Sequence, residues 1–175
     1  MIIAFMALAL GANAQTKTAT ASTVLKIKVT EFISVEDGNL TTVGTTPAAG
    51  AEVNFIYDEA ADYEKDQEKV ITNHLKVAST NSFQVTAKAM GPNFESGINT
   101  IPVGVLDVTP AAPGSGTAKT IRLTDAEQQV LTGVKAGLRQ IDVKYTIPAK
   151  RAQEDILGRP SGTYQQTIIY KFSHL

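Results

Sequence analysis

The run GTYQQTIIYKF (162–172) alternates with a period of two. Tyr164, Ile168, Tyr170 and Phe172 fall on one side of an extended chain, and Gln165, Thr167, Ile169 and Lys171 fall on the other. Successive side chains of a strand point to opposite faces, so such a run needs an apolar layer on one face and tolerates water on the other. A chain built from runs of this kind must pair strand with strand and pack sheet on sheet.

The same texture recurs. Leu25, Ile27 and Val29 alternate with Lys26 and Lys28 in the run 24–30, and AEVNFIY (51–57) alternates Val53, Phe55 and Tyr57. NHLKVAST (73–80), SFQVTAKAM (82–90), IPVGVLDVT (101–109), AKTIRLT (118–124) and RQIDVKYTIP (139–148) read as further strands. TTVGTTPAAG (41–50) and TPAAPGSGT (109–117) read as low-complexity loops between them. About eight strands with Gly/Pro/Asn turns predict an all-β, immunoglobulin-like sandwich. One short helix is expected over TDAEQQVLTG (124–133). Thr124 would be its N-cap, Glu127 would complete a capping box, and Gly133 would follow as the C′ residue. DEAADYEKDQEKV (58–70) has too few apolar positions for a buried helix face and reads as a loop or a single helical turn.

Met1 to Leu10 is almost wholly apolar and uncharged, yet a membrane span needs roughly 20 residues. Followed by Ala12-Asn13-Ala14, it reads as the apolar core of a secretory signal with its small-residue cleavage site. The expected organisation is a signal peptide at 1–14, an N-terminal strand at 15–29 and a sandwich domain at 30–175. The exported chain would be one domain, with no membrane span in its mature form.

Little in the sequence supports chemistry. There are no cysteines, so neither disulfides nor thiol catalysis are available. A net charge of −1 with mixed signs gives no pull toward nucleic acid. The acidic residues Asp58, Glu59, Asp62, Glu64, Asp66 and Glu68 lack the spacing of a calcium loop, and Lys65 and Lys69 offset them. They read as a solvated loop, with calcium as the alternative. His74 and His174 have no metal-ligand spacing, and no serine sits in a nucleophile elbow. The absence of Trp disfavours a sugar-stacking face. No enzyme activity, cofactor or metal is expected.

The two chain ends carry a resemblance. Gly162 precedes the alternating strand of Tyr164, Ile168, Tyr170 and Phe172 close to the last residue. This resembles the C-terminal motif of chaperone–usher pilin subunits, in particular their archaic, spore-coat-U-like branch. Two departures from that pattern are His174 in the penultimate position, where an aromatic is common, and the lack of a disulfide. The resemblance implies a sandwich short of one strand, completed by the N-terminal extension of another copy. Strand addition of that kind joins copies head to tail and does not close, so a fibre grows. On this reading Ala19, Ala21, Thr23, Leu25, Ile27 and Val29 form the donated face. Gly162, Tyr164, Ile168, Tyr170 and Phe172 belong to the receiving groove or C-terminal strand. The resemblance also implies an extracellular fibre on a bacterial surface, reached through the periplasm, with adhesion or biofilm as its role. Its partners would be copies of itself, a periplasmic chaperone and an outer-membrane usher.

The residues themselves leave open whether 15–29 is donated or is simply the first strand of its own sandwich. The alternative function is a monomeric exported β-sandwich that binds a glycan or protein at the cell surface. A secreted hydrolase on the same scaffold is a more distant third. The first expectation concerns processing: N-terminal sequencing of protein taken from the cell surface should begin at Gln15, and a sequence beginning at Met1 would overturn the signal reading.

Overall fold

Period-two burial organises the strands of the computed structural model, which describes residues 18–29 and 52–175. The side chains of Thr18, Ala19 and Val29 lie outside that description, as do the signal segment read at 1–14 and the loop at 41–50. In β2 (Val53–Tyr57) and β4 (Phe83–Ala89) every second residue is buried, matching the alternation of Val53, Phe55 and Tyr57 and of Phe83, Val85, Ala87 and Ala89.

Two sheets face each other across one apolar core, the architecture that the alternation calls for. The first has eight strands. Its path runs from β2 through β1 (Thr18–Val29), β12 (Gly162–His174), β4 and β10 (Gln128–Val134) to β8 (Thr117–Ala118), and a hairpin of β5 (Asn93–Ser96) and β6 (Asn99–Pro102) branches from β12. The second has four strands in the order β3 (Gln67–Ser79), β11 (Gly137–Ile147), β7 (Asp107–Pro110) and β9 (Ile121–Arg122). Tyr57, Tyr145, Tyr164, Tyr170, Phe55, Phe83 and Phe94 fill much of the space between the sheets.

Several expected elements differ. The run 101–109 is not one strand: β6 ends at Pro102, a 3-10 turn spans Val103–Val105, and β7 resumes at Asp107. The turn buries both Val103 and Val105, and the Leu106 amide closes it on the Val103 carbonyl. AKTIRLT divides into β8 and β9, which belong to different sheets. The acidic segment holds one 3-10 turn, Ala60–Asp62, before β3 begins at Gln67.

The helix expected at 124–133 is the main correction: Gln128–Val134 is strand β10. Against β4, Gln129 pairs with Thr86, Leu131 with Val85 and Val134 with Phe83, so β10 carries an extra residue at two successive places. These bulges bury Val130, Leu131 and Val134 together, which strict alternation could not do. Their i, i+1, i+4 spacing imitates a helix face. Gly133 does take the left-handed conformation, with φ +67°, but it serves a bulge and not a helix end. Thr124 accepts a hydrogen bond from the Ala126 amide, making a local turn in place of a cap. Among the described residues the α-helical turn lies elsewhere: α1 (Ala149–Arg151) runs into a π-type turn, Ala152–Ile156. Arg151 anchors it by an ion pair with Asp107 and a 2.8 Å hydrogen bond to the Gly104 carbonyl.

A Cβ on Gly133 would meet nothing nearer than 3.9 Å, so replacing it tests backbone conformation alone. Gly133→Ala should cost about 1–2 kcal/mol and lower the melting temperature by about 2–8 °C. An unchanged melting curve would refute the left-handed bulge.

Candidate functional site: the cleft that holds the first strand

β1 lies inside the first sheet with partners on both sides. It pairs antiparallel with β12 from Thr18 opposite Ser173 to Val29 opposite Gly162. On its other side it runs parallel to β2, from Leu25 opposite Val53 to Val29 opposite Tyr57. Its flanking strands are therefore the next strand in the described chain and the last one.

The side chains follow the same division. Leu25 and Ile27 are fully buried in the core, Thr23 is 1% exposed, and Ala21 packs against the core's edge. Burying residues of this size contributes about 1.5–3 kcal/mol each for Leu25 and Ile27. Ala19 and Val29 stand opposite Phe172 and Gly162 in the backbone register. Across the cleft, Tyr164, Ile168 and Tyr170 are fully buried and Phe172 nearly so. Tyr164 donates its hydroxyl to the Pro160 carbonyl at 2.8 Å. A Cβ on Gly162 would fall 2.8 Å from Ser96 Oγ, so a larger residue there would require the Ser96 hydroxyl to rotate away. On the outer face Lys26 pairs with Glu52 at 2.9 Å, and that contact holds the Glu52 carboxyl below its usual range.

One polar group reaches β1 from the opposite sheet. His74 is fully buried in β3, and its Nε2 lies 3.0 Å from Thr23 Oγ1 and 2.9 Å from the Tyr145 hydroxyl. The Tyr145 and Tyr170 hydroxyls are 2.6 Å apart. The network thus joins β1, β3, β11 and β12 through the middle of the sandwich. Among the described residues, His74 Nδ1 is buried with no hydrogen-bond partner.

A bulge aims His74 inward. Ile71 pairs with Val143 and Leu75 with Ile141, so three residues of β3 oppose Asp142 alone. Asn73 takes φ 52° there, and its amide donates to Asp142 Oδ1 at 2.7 Å. His74 and Leu75 are consequently buried in succession. Without the bulge His74 would share the wet face with Thr72, and for that reason the Thr23–His74 link was invisible in the sequence. Tyr145 was the available signal, since it shares inward parity with Ile141 and Val143 in the run 139–148.

Burial pushes the His74 pKa below its ordinary value and raises those of Tyr145 and Tyr170. All three are therefore neutral near pH 7, and the network is one of uncharged hydrogen bonds. In the acidic segment 58–68, Asp62, Asp66 and Glu68 are engaged in structural contacts. Asp62 accepts from the Asp58 and Glu59 amides, Asp66 accepts from the Ala149 amide, and Glu68 pairs with Lys144. Among the described residues no group of three or more metal-ligating side chains converges. Among the described residues, no helix is long and apolar enough to cross a membrane.

No family model and no curated protein matches this chain. Among solved structures, it is similar to the AfaE-3 adhesin from Escherichia coli, with 14% identity and a TM-score of 0.42 over 91% of this chain and 98% of that one. It is also similar to an antigen and type I fimbria protein from Burkholderia pseudomallei, with 10% identity and a TM-score of 0.43 over 91% of this chain and 100% of that one. Neither similarity assigns this chain to a family, and the functional reading rests on the strand geometry.

His74 gives the fold a pH dependence of known sign. An unfolded histidine takes up a proton below about pH 6.5, whereas the buried ring resists it. The unfolded state then binds more protons, so stability is full above that pH and falls as pH drops through it. The denaturant midpoint should be lower at pH 5 than at pH 7.5, and His74→Leu should shrink the difference. An equal difference in that variant would assign the dependence to other groups.

Proposed function

We propose that this chain is an exported structural subunit of an extracellular bacterial fibre, joined to its neighbours head to tail by exchange of the strand at 18–29. The observation that carries this reading is the place of β1. It is the outermost strand of the described chain in sequence but an inner strand of the sheet, inserted between β2 and β12. With the cleavage expected after Ala14, β1 would lie at the N-terminus of the mature chain, and a strand so placed leaves and re-enters a sheet without unthreading any loop. If β1 leaves, β12 and β2 each lose a ladder and the cleft exposes its apolar floor. Unpaired edges of that kind are templates for another strand. The β1 of a second copy offers the same twelve backbone positions and the same side chains.

Exchange between copies then conserves every contact of the cleft while changing which chain supplies them. The contact is heterologous, so it propagates as a fibre. Donor residues Ala19, Ala21, Thr23, Leu25, Ile27 and Val29 meet a groove walled by Tyr164, Ile168, Tyr170 and Phe172. A chaperone and an usher are the partners that such assembly would require before the groove is filled. The role is structural and not catalytic.

The second reading, a monomeric exported sandwich that binds a glycan or protein, is favoured by β1 lying in its own chain's sheet. The two readings separate in solution. Under fibre assembly, the wild-type chain should give concentration-dependent ladders that withstand detergent and collapse on boiling. Ile27→Asp should abolish them by forcing a charge into an apolar site, while Lys28→Asp, on the exposed face, should largely keep them. A wild-type protein that stays monomeric at high concentration, with Ile27→Asp lowering the melting temperature of that monomer, would replace the fibre reading by the second.

A further inference from the structure

Among the described residues, the polar groups that meet β1 from within the core cluster at Thr23, where His74 and the Tyr145 and Tyr170 hydroxyls form one network. A one-residue slip of β1 would turn Lys26 and Lys28 inward and Leu25 and Ile27 outward, and period-two burial forbids it. A two-residue slip keeps the buried face buried. Only the identity of the side chains then separates the right register from the wrong one. Such a slip would bring Ala21 or Leu25 to His74, and neither carries a hydroxyl. The imidazole already has one buried nitrogen without a partner, Nδ1. Nε2 of a neutral imidazole has one hydrogen-bonding position, which Tyr145 still fills once Thr23 is gone, so the cost of the slip falls on the Thr23 hydroxyl, which loses its buried partner. In the slipped strand the Thr23 hydroxyl would itself move away from His74 to the place of Ala21 or Leu25.

We propose that His74 is the residue by which the cleft reads an incoming strand: it selects a hydroxyl-bearing side chain at the position of Thr23, and so fixes the register and identity of the strand accepted. A single polar contact in an otherwise apolar seam is a known physical means of setting register at some cost in stability. The network ties this reader to both sheets, because Tyr145 of β11 and Tyr170 of β12 hold the far side of the chain of hydroxyls. The occupant is residues 18–29 of a second copy, so the inference rests on the strand-exchange reading above.

Two measurements on the full chain test it. The first is a double-mutant cycle in denaturant melting with Thr23→Val, His74→Leu and both together. The second follows uptake of fluorescent peptides spanning 15–29 by the full chain, comparing the native sequence with its Thr23→Val and Thr23→Ser forms. The cycle should be non-additive. The native and Ser peptides should be taken up about tenfold in preference to the Val peptide, the ratio that one buried hydrogen bond supplies. The His74→Leu chain should lose or reverse that preference. Additive melting, or equal uptake of the Thr and Val peptides by the wild-type chain, would overturn the proposal. A strongly coupled cycle with no uptake of any peptide would instead overturn strand exchange and with it any selection among donors. That outcome would confine the Thr23–His74 contact to a single chain.

Discussion

The double ladder of β1 is the constraint on which the rest of the fold depends. A sheet gains its backbone hydrogen bonds strand by strand, and an inner strand satisfies two neighbours at once. β1 joins β12 along its whole length and β2 along five residue pairs. It also places Leu25 and Ile27 in the same core as Tyr164, Ile168 and Tyr170. Backbone pairing and apolar burial therefore converge on one segment, which sits at the start of the described chain.

The polar network adds discrimination to that affinity. Backbone pairing is blind to sequence, and aliphatic contacts distinguish side chains mainly by size. A buried imidazole with a hydroxyl partner distinguishes them by chemistry, because an unmet polar atom in a core is penalised more steeply than a poorly filled apolar gap is. The bulge in β3 is what makes this possible. Asn73 in the left-handed region and its amide bond to Asp142 rotate His74 out of the solvent face and into the core. The network's uncharged state at neutral pH follows from its burial, so the contact and its sensitivity to acid share one cause.

Bulges also explain where the expectations from sequence failed. Two of them in β10 gave Val130, Leu131 and Val134 a helical spacing, and the glycine that suggested a helix end is the residue that turns the second bulge. The left-handed requirement at Gly133 was legible in the sequence, whereas the element it served was not. The hairpin of β5 and β6 was missed because its runs are only four residues each and too short to show a period. The run 101–109 reads as a single strand because Val103 and Val105 alternate, yet the turn between them leaves Val105 and Leu106 buried in succession.

The sequence by itself determined the class of the fold and the inward faces of its end strands. Period two is a local property: Leu25 and Ile27, like Tyr164, Ile168, Tyr170 and Phe172, can be assigned to a face without knowing any partner. What only the tertiary structure decided is which strand lies beside which and what crosses the core. That β1 enters between β2 and β12 depends on edges that exist only once the sheet has formed. That Thr23 meets His74 depends on a bulge opposite Asp142, a residue 69 positions from the Asn73 amide it receives. Contacts of this length are set by how the sheets stack, and no run of neighbouring residues encodes them.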